Sequence, residues 1–406
     1  MLRRHSSWIA AVAIACGDNV TGPATRELTL SVCPINSWVA YQNEGAAWKR
    51  LGGSTGGDVT IKATDRFALA VSNTITQSPV LRLYFINADQ AQAVLACFES
   101  NPYATRSISG TVQGIASSLF TELSIGRSTA LLDVNSTSFA FGYAAAGTRD
   151  LFAMRTVLTG NDGHVDRIII RRAQAHADGT VPLLDFESSE AIPPAQNVLS
   201  WTASGAHVQV NFRGADGNPH TLQSIVVGAN GGPVVPRTTA LYSVPADRQV
   251  AGDLHELMLF NEDRNVTRYY QQPSDMTLTL GPALLEPAFL QVGTTPSMHA
   301  VLPWQPEYDG SVFMFLHQPG LALGSVNVTI TREHVLAGGA SPPAAWGAIL
   351  PDLRSVDGFP SGVGIVAGAP FEWSVFATSR PWEAVQTLGA AGDVFRSAAR
   401  YGTAGN

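Results

Sequence analysis

Apolar and polar residues alternate with a period of two along this chain from end to end, which confines most of it to β-strands. In Val80-Leu81-Arg82-Leu83-Tyr84-Phe85-Ile86, the side chains of Leu81, Leu83 and Phe85 share a face. Phe139, Phe141 and Tyr143 do so further on, as do Val208, Val210 and Phe212, with His207, Gln209 and Asn211 facing the other way. Val326, Val328 and Ile330 alternate with Asn327, Thr329 and Thr331, and Phe371, Trp373 and Val375 repeat the pattern. Alternation at this period puts one face on a core and the other toward water. Asp-Gly pairs at 162–163, 178–179, 216–217, 309–310 and 357–358 supply turns between the runs. Helical spacing is confined to Asp89–Ala96 and to a short terminal helix over Asp393–Tyr401. The expected fold class is therefore all-β, built of tandem β-sandwich modules.

At 406 residues the chain is too long for one ordinary domain and fits three or four modules of about 100 residues. Pro- and polar-rich breaks divide it into a segment over 1–15, a tether over 16–27, and modules over 28–100, 106–192, 197–290 and 296–406. The last two are either separate or one larger sandwich. Charged residues make up 14% and hydrophobic ones 45%, so the surface must be largely neutral and polar. The formal net charge is −7, and after the first few residues basic side chains never cluster beyond a pair. A nucleic-acid partner, which requires a basic stripe to displace counterions, is excluded.

Arg3, Arg4 and His5 precede an apolar run, Ser6 to Ala15, which ends at Cys16. A charged start, a short apolar stretch and small residues before a cleavage point form the layout of a secretory signal peptide. Ten residues is about half of the ~20 that a helix needs to cross a bilayer. Ala13-Ile14-Ala15-Cys16 resembles the lipobox of bacterial lipoproteins, with Ala13 where Leu is usual. The resemblance implies acylation of Cys16, a membrane partner reached through that lipid, and an exported location in the cell envelope. Ala13-x-Ala15 equally suits ordinary signal peptidase, which would leave Cys16 bare. In an oxidising compartment Cys33 and Cys97 have only each other once Cys16 is acylated. A bridge between them closes a loop of about 65 residues, worth roughly 4 kcal/mol in the chain-entropy model; two separate buried thiols are the other reading.

Ser109-Gly110-Thr111-Val112-Gln113-Gly114, followed by Phe139-Ala140-Phe141 and Ala146-Gly147-Thr148, is similar to the carboxypeptidase-regulatory type of β-sandwich. The similarity covers about 50 residues and implies an accessory module that stabilises or presents.

Local catalytic signatures each lack an element. Gly52-Gly53-Ser54-Thr55-Gly56 has the spacing of a nucleophile elbow but is followed by a strand pattern where a helix is needed. His255-Glu256 begins like a zinc-protease helix, yet position 259 is Leu259, and the segment alternates as a strand. Such a strand would point the two side chains to opposite faces. Gly362-x-Gly364-x-x-x-Gly368 has the wrong spacing for a dinucleotide loop. Asp185, Glu187 and Glu190 fit a solvated strand end better than a Ca²⁺ site. Tyr41 and Trp48 flank a hairpin, and exposed rings there could stack on sugars or anchor a protein. The expectation is a non-enzymatic structural or interaction protein with no cofactor and no metal, whose partner is an envelope protein or a glycan. A hydrolase with dispersed residues and a carbohydrate-binding protein are the competing readings.

Overall fold

The computed structural model describes residues 24–404 except 35, 53–56, 74–79, 96–104, 116–119, 127, 146, 160–161, 176–178, 215–218, 229–231, 293–296, 320–324, 338, 340, 366–368 and 383–388. The first module contributes β1 (Thr25–Ser31), β2 (Trp38–Asn43), β3 (Lys49–Arg50), β4 (Asp58–Thr64), β5 (Arg66–Asn73) and β6 (Val80–Asn87). A 3-10 turn over Ala88–Gln90 then runs into α1 (Ala91–Leu95). This helical stretch starts where the sequence predicts, on a reciprocal cap. The Asn87 side chain accepts from the Gln90 N–H at 3.0 Å, and the Gln90 side chain accepts from the Asn87 N–H at 3.1 Å.

The second module contributes β7 (Thr105–Gln113), β8 (Phe120–Ile125), β9 (Ser128–Leu132), β10 (Ser138–Ala145), β11 (Thr148–Thr159), β12 (Asp162–Ala175) and β13 (Gly179–Asp185). The third contributes β14 (Ala195–Ala203), β15 (Gly205–Arg213), β16 (Pro219–Gly228), β17 (Val235–Ser243), β18 (Leu254–Phe260), β19 (Arg264–Tyr270) and β20 (Met276–Thr277). The last contributes β21 (Ala288–Val292), β22 (Ser297–Pro303), β23 (Ser311–His317), β24 (Val326–Thr331), α2 (Arg332–Val335), β25 (Ala345–Leu350), β26 (Phe371–Thr378) and β27 (Val394–Ala404). The fold is all-β with several sheets, as the alternation predicts.

One sheet of sixteen strands runs through every module, in the order β3-β2-β5-β6-β24-β23-β26-β27-β19-β18-β15-β16-β12-β11-β8-β9. The modules therefore follow one another in space as first, last, third, second. The first joins the last through the parallel pair β6–β24, and the last joins the third through β27–β19. Four small sheets cover this long one. On one side, β21-β22-β25 and β17-β14-β20 enclose the two largest cores. On the other side, β1-β4 with α1 covers the first-module end, and β10-β7-β13 covers the second-module end.

Strands under cover on both sides are apolar on both faces. In β5, Phe67, Leu69 and Val71 pack under β1-β4, while Ala68 and Ala70 face the opposite core. In β11, Leu151 and Ala153 belong to the second-module core, and Phe152 and Met154 to the third. Gly110 of β7 lies opposite Phe139 of β10, and a Cβ there would come within 2.5 Å of the Phe139 ring. A side chain at 110 would thus displace that ring from the core.

Two expectations are corrected. Asp393–Tyr401 is not a helix: residues 394–404 form β27, paired with β26 on one side and β19 on the other. The Asp393 carboxylate accepts from the upstream Ala390 N–H at 2.7 Å and so closes a turn instead of capping a helix. Tyr143 does not share the buried face of Phe139 and Phe141. The β10–β7 register shifts between Phe141 and Ala144, and a bulge of this kind re-aims the side chain, leaving Tyr143 exposed.

Candidate functional site

Between its two covered ends, one side of the long sheet from β24 to β16 carries no further sheet among the described residues, although Trp382 packs onto Phe313 and Tyr84 and Arg380 lies over Tyr269 and Phe395. Eight strands at about 4.8 Å each make this free stretch roughly 38 Å wide. In its β24-β23-β26-β27 part, register lines side chains up in rows. Arg82, Asn327, Phe315, Ser374 and Tyr401 stand directly opposite one another across five strands. The adjacent row is Tyr84, Thr329, Phe313, Phe376 and Ala399. Phe315 and Tyr401 are two strands apart, hence about 10 Å, with Ser374 between them. Phe315 is 46% exposed, Phe376 37% and Tyr401 68%. Beside Phe376 in its row, Phe313 contacts it and Trp382 at 5.9 Å between ring centroids, and Trp382 meets Tyr84 edge-on at 6.2 Å. Trp382 thus covers the Tyr84–Phe313 part of this face and leaves Phe315, Phe376 and Tyr401 partly exposed. His317 and Glu372, both exposed, close one margin.

The β19-β18-β15-β16 part of the same side is built differently. The Gln209 and Thr221 side chains both donate to Asn211 Oδ1 at 3.0 Å. Glu256 Oε2 accepts from Asn211 at 3.3 Å and from Arg213 at 2.8 Å, and Tyr269 O–H donates to Oε1 at 2.7 Å. Burial pushes the Glu256 carboxyl up, but the Tyr269 hydroxyl and the Arg213 guanidinium outweigh it and hold the group below its usual value. Burial, reinforced by Glu256, pushes Tyr269 up to about 12. Glu256 is thus the hub that ties Asn211, Arg213 and Tyr269 together.

Tyr41 and Trp48 do not form a platform. The Tyr41 ring stacks on Phe67 at 5.9 Å, against the core under β1-β4. Trp48 packs on the core at the other side of the sheet, beside a cleft it shares with Arg66, His334 and Asp352. Cys33 is buried, and its N–H donates to the Leu95 carbonyl at the end of α1 at 2.9 Å. Cys16, Cys97 and residues 53–56 of the Gly-x-Ser-x-Gly run lie outside the described residues, as does Gly368.

His255 and Glu256 do point to opposite faces of β18. His255 stacks on Tyr270 at 4.7 Å within the third-module core, where its Nε2 accepts from the Val244 N–H at 3.0 Å. The three acidic residues after β13 are engaged: Asp185 accepts from the Glu187 N–H, Glu187 pairs with Arg155 and Glu190 with Arg171. Among the described residues no group of three or more His, Cys, Asp or Glu side chains could hold a metal ion.

Two serine–histidine contacts occur that no local motif announces. Ser124 Oγ lies 2.8 Å from His220 Nδ1, both buried, with the His220 ring stacked on Phe152 at 4.3 Å. Burial lowers the His220 pKa to about 4, and the pair lines neither the cleft under 351–365 nor those beside Trp48 and Val198. His207 Nε2 meets Ser224 Oγ at 2.7 Å across β15 and β16, on the flat free face. Burial is the cause of its lowered pKa, with no carboxylate contributing. Neither contact has the third, orienting group that nucleophilic catalysis uses.

The exposed rings were missed in the sequence, although β23 carries a signal. Ser311-Val312-Phe313-Met314-Phe315-Leu316-His317 is apolar in both registers, which predicts a strand buried on both faces; only one face is covered. No family model matches this chain, and no curated protein matches it.

Proposed function

We propose that this is an exported envelope protein, anchored by a lipid on Cys16, with a structural or interaction role, and that it engages a protein partner through the ring-bearing half of its free sheet face. The observation that carries this reading is the row of Phe315 and Tyr401, with Phe376 beside it, left partly exposed next to the Phe313–Trp382 cluster. Exposed apolar patches of this kind mark interaction sites, and aromatic anchors dominate the energetics of interfaces. The scarcity of charge within the rows suits the centre of such an interface. A Cys33–Cys97 disulfide belongs to the same proposal. Burial of Cys33, and its hydrogen bond to Leu95, two residues before Cys97, support that pairing. The 106–192 module would act as an accessory sandwich. Among the described residues no helix is long and apolar enough to cross a membrane.

Carbohydrate recognition is the second reading, favoured by the neutral Ser374 between the rings and Asn327 on the other side of Phe315. A photo-crosslinking residue placed at 315, 401 or 209 in cells separates the two. Capture of one discrete envelope protein at 315 and 401, with none at 209, is expected. Absence of a protein adduct, together with retention on envelope glycan that Tyr401→Ala abolishes, would replace the protein reading by the carbohydrate one. Neither adduct nor retention would end both. Intact-mass analysis tests the anchor: an unmodified mature Cys16 would remove it. Labelling of both remaining cysteines in non-reduced protein would remove the bridge.

A further inference from the structure

The core between the long sheet and β21-β22-β25 is not filled throughout. A cavity of about 680 Å³ opens in it. Leu83 of β6 and Val326 of β24 form the floor, Met298 of β22 and Leu350 of β25 a wall, and Phe359 and Val363 of the segment 351–365 the roof. Interiors normally pack to crystal-like density and leave few voids larger than a water molecule. A space of this size lies instead in the range of about 300–1,000 Å³ that ligand sites occupy.

The roof is fastened from outside the cavity. Trp38 Nε1 donates to the Asp357 carbonyl at 3.1 Å, Arg50 pairs with the Asp357 carboxylate at 3.1 Å, and the Phe359 ring stands edge-on to Trp38 at 5.1 Å. Its lip turns through Gly362 and Gly364, both at positive φ, and a Cβ at either would meet nothing within 4 Å. The lip is thus bare backbone facing open space.

We infer that this cavity takes a single alkyl chain, of the kind carried by fatty acids and membrane lipids. The floor and one wall are aliphatic and Phe359 is the one ring, so a flat heterocycle would find little to stack on; Ser361 and the Asp352–Arg354 pair supply the polar side chains of the lining. Among the lining residues, the only charged pair is Asp352 with Arg354 at the rim. Arg354 donates to both Asp352 oxygens, at 2.8 and 2.7 Å, and neutralises it. A sugar or nucleotide would leave its polar groups unmet inside, at a cost that an alkyl chain does not incur. The headgroup stays outside the lip, beside Arg354, which is itself largely exposed.

The test uses the full chain carrying Cys16→Ser, so that its own lipid is no source of ligand. The probes are palmitate and vesicles of dipalmitoylphosphatidylglycerol, read by native mass spectrometry and by titration. One chain per protein is expected, with affinity rising about fourfold per added CH₂ from octanoate until the cavity is full, then levelling. Val363→Trp and Ile365→Trp fill the space from the roof and should each weaken binding at least tenfold without lowering the unfolding midpoint. Uptake from vesicles alone assigns the source to membrane lipid, and uptake of palmitate alone to free fatty acid. Failure of both probes to bind overturns the inference. So does binding that both folded tryptophan variants leave intact, or that continues past one palmitate or one lipid molecule per protein.

Discussion

Across β19 and β27 the same side of the same sheet changes character. Toward β15, amides, hydroxyls, Arg213 and the Glu256 carboxylate use up one another's hydrogen bonds. Toward β23, Phe315, Phe376 and Tyr401 stand in water. Backbone geometry is common to both, and so are the covering layers at either end. The polar half is thus held by its own hydrogen bonds, with Asn211, Glu256 and Tyr269 buried, and the one aromatic ring of that network is not left in water. Each exposed aromatic forgoes roughly 1.5–3 kcal/mol that burial would return. Under the proposed interaction role, contact with something outside the chain is the reason for carrying them, and a reversal of the measurements below would remove it.

The polar half breaks first. Glu256→Ala deletes the acceptor shared by Asn211, Arg213 and Tyr269, one of them a largely buried guanidinium. Removing one partner from a buried pair typically costs about 3–5 kcal/mol, to be measured by urea unfolding. Photo-crosslinking at 315 and 401 should be unchanged at temperatures where the variant is folded. A cost below about 1 kcal/mol would mean that the network is incidental, and the polar half would no longer stand as the self-sufficient member of the comparison.

Acid sharpens the contrast, because the strands under the polar half are pinned by neutral histidines. Burial lowers His220 and His255 to about 4, below the ordinary 6.5. The unfolded chain then binds protons more readily than the folded one. The neutral forms contribute fully above about pH 6.5, and that contribution is lost as pH falls toward 4. At about 1.4 kcal/mol per pKa unit, each histidine gives up to roughly 3 kcal/mol across this window. Protonation of His255 would also remove the acceptor for the Val244 N–H. Urea midpoints measured from pH 7.5 to 4.5 should fall accordingly, and His220→Gln should flatten the fall by about half. A flat profile in the wild-type chain would show that neither ring is desolvated as described.

Much of this architecture was legible in residue order, for a local reason. Strand faces follow from period-two alternation, so the inward sets of β6, β15, β24 and β26 could be assigned from Leu81, Val208, Val326 and Phe371 onward. What local pattern cannot carry is which strand lies beside which. Nothing in Val80–Asn87 or Val326–Thr331 announces their parallel pairing across some 240 residues. The open stretch of sheet depends on that pairing and on β19–β27. Tyr41 and Trp48 attracted attention because they flank a turn, yet each packs on a core on its own side of the sheet. The spacing over Asp393–Tyr401 that suggested a helix is overridden by pairing of β27 with strands on both sides, and the Asp393 carboxylate serves the Ala390 N–H. The cavity under 351–365 is a product of three separate segments and has no local signature at all.

The smallest expected effect is the one on which the comparison turns. Phe315→Ser, Phe376→Ser and Tyr401→Ser each remove a ring that projects from the free face while Met314, Val375 and Arg400, their neighbours in sequence, point the other way. Surface changes of this kind usually stay within about 0.5 kcal/mol. Tyr401, the most exposed, should come out nearest zero. Phe376, whose ring touches Phe313, should show the largest shift of the three. Solubility of the isolated protein should improve with each change, since apolar surface is withdrawn from water, while crosslinking to the envelope partner from position 327, left otherwise native, should fall. Urea unfolding, with all three variants side by side, checks the first expectation. A loss of 2 kcal/mol or more at Phe315 or Tyr401 would assign the rings to stability, and the two halves of the face would then differ only in how they hold the same sheet together.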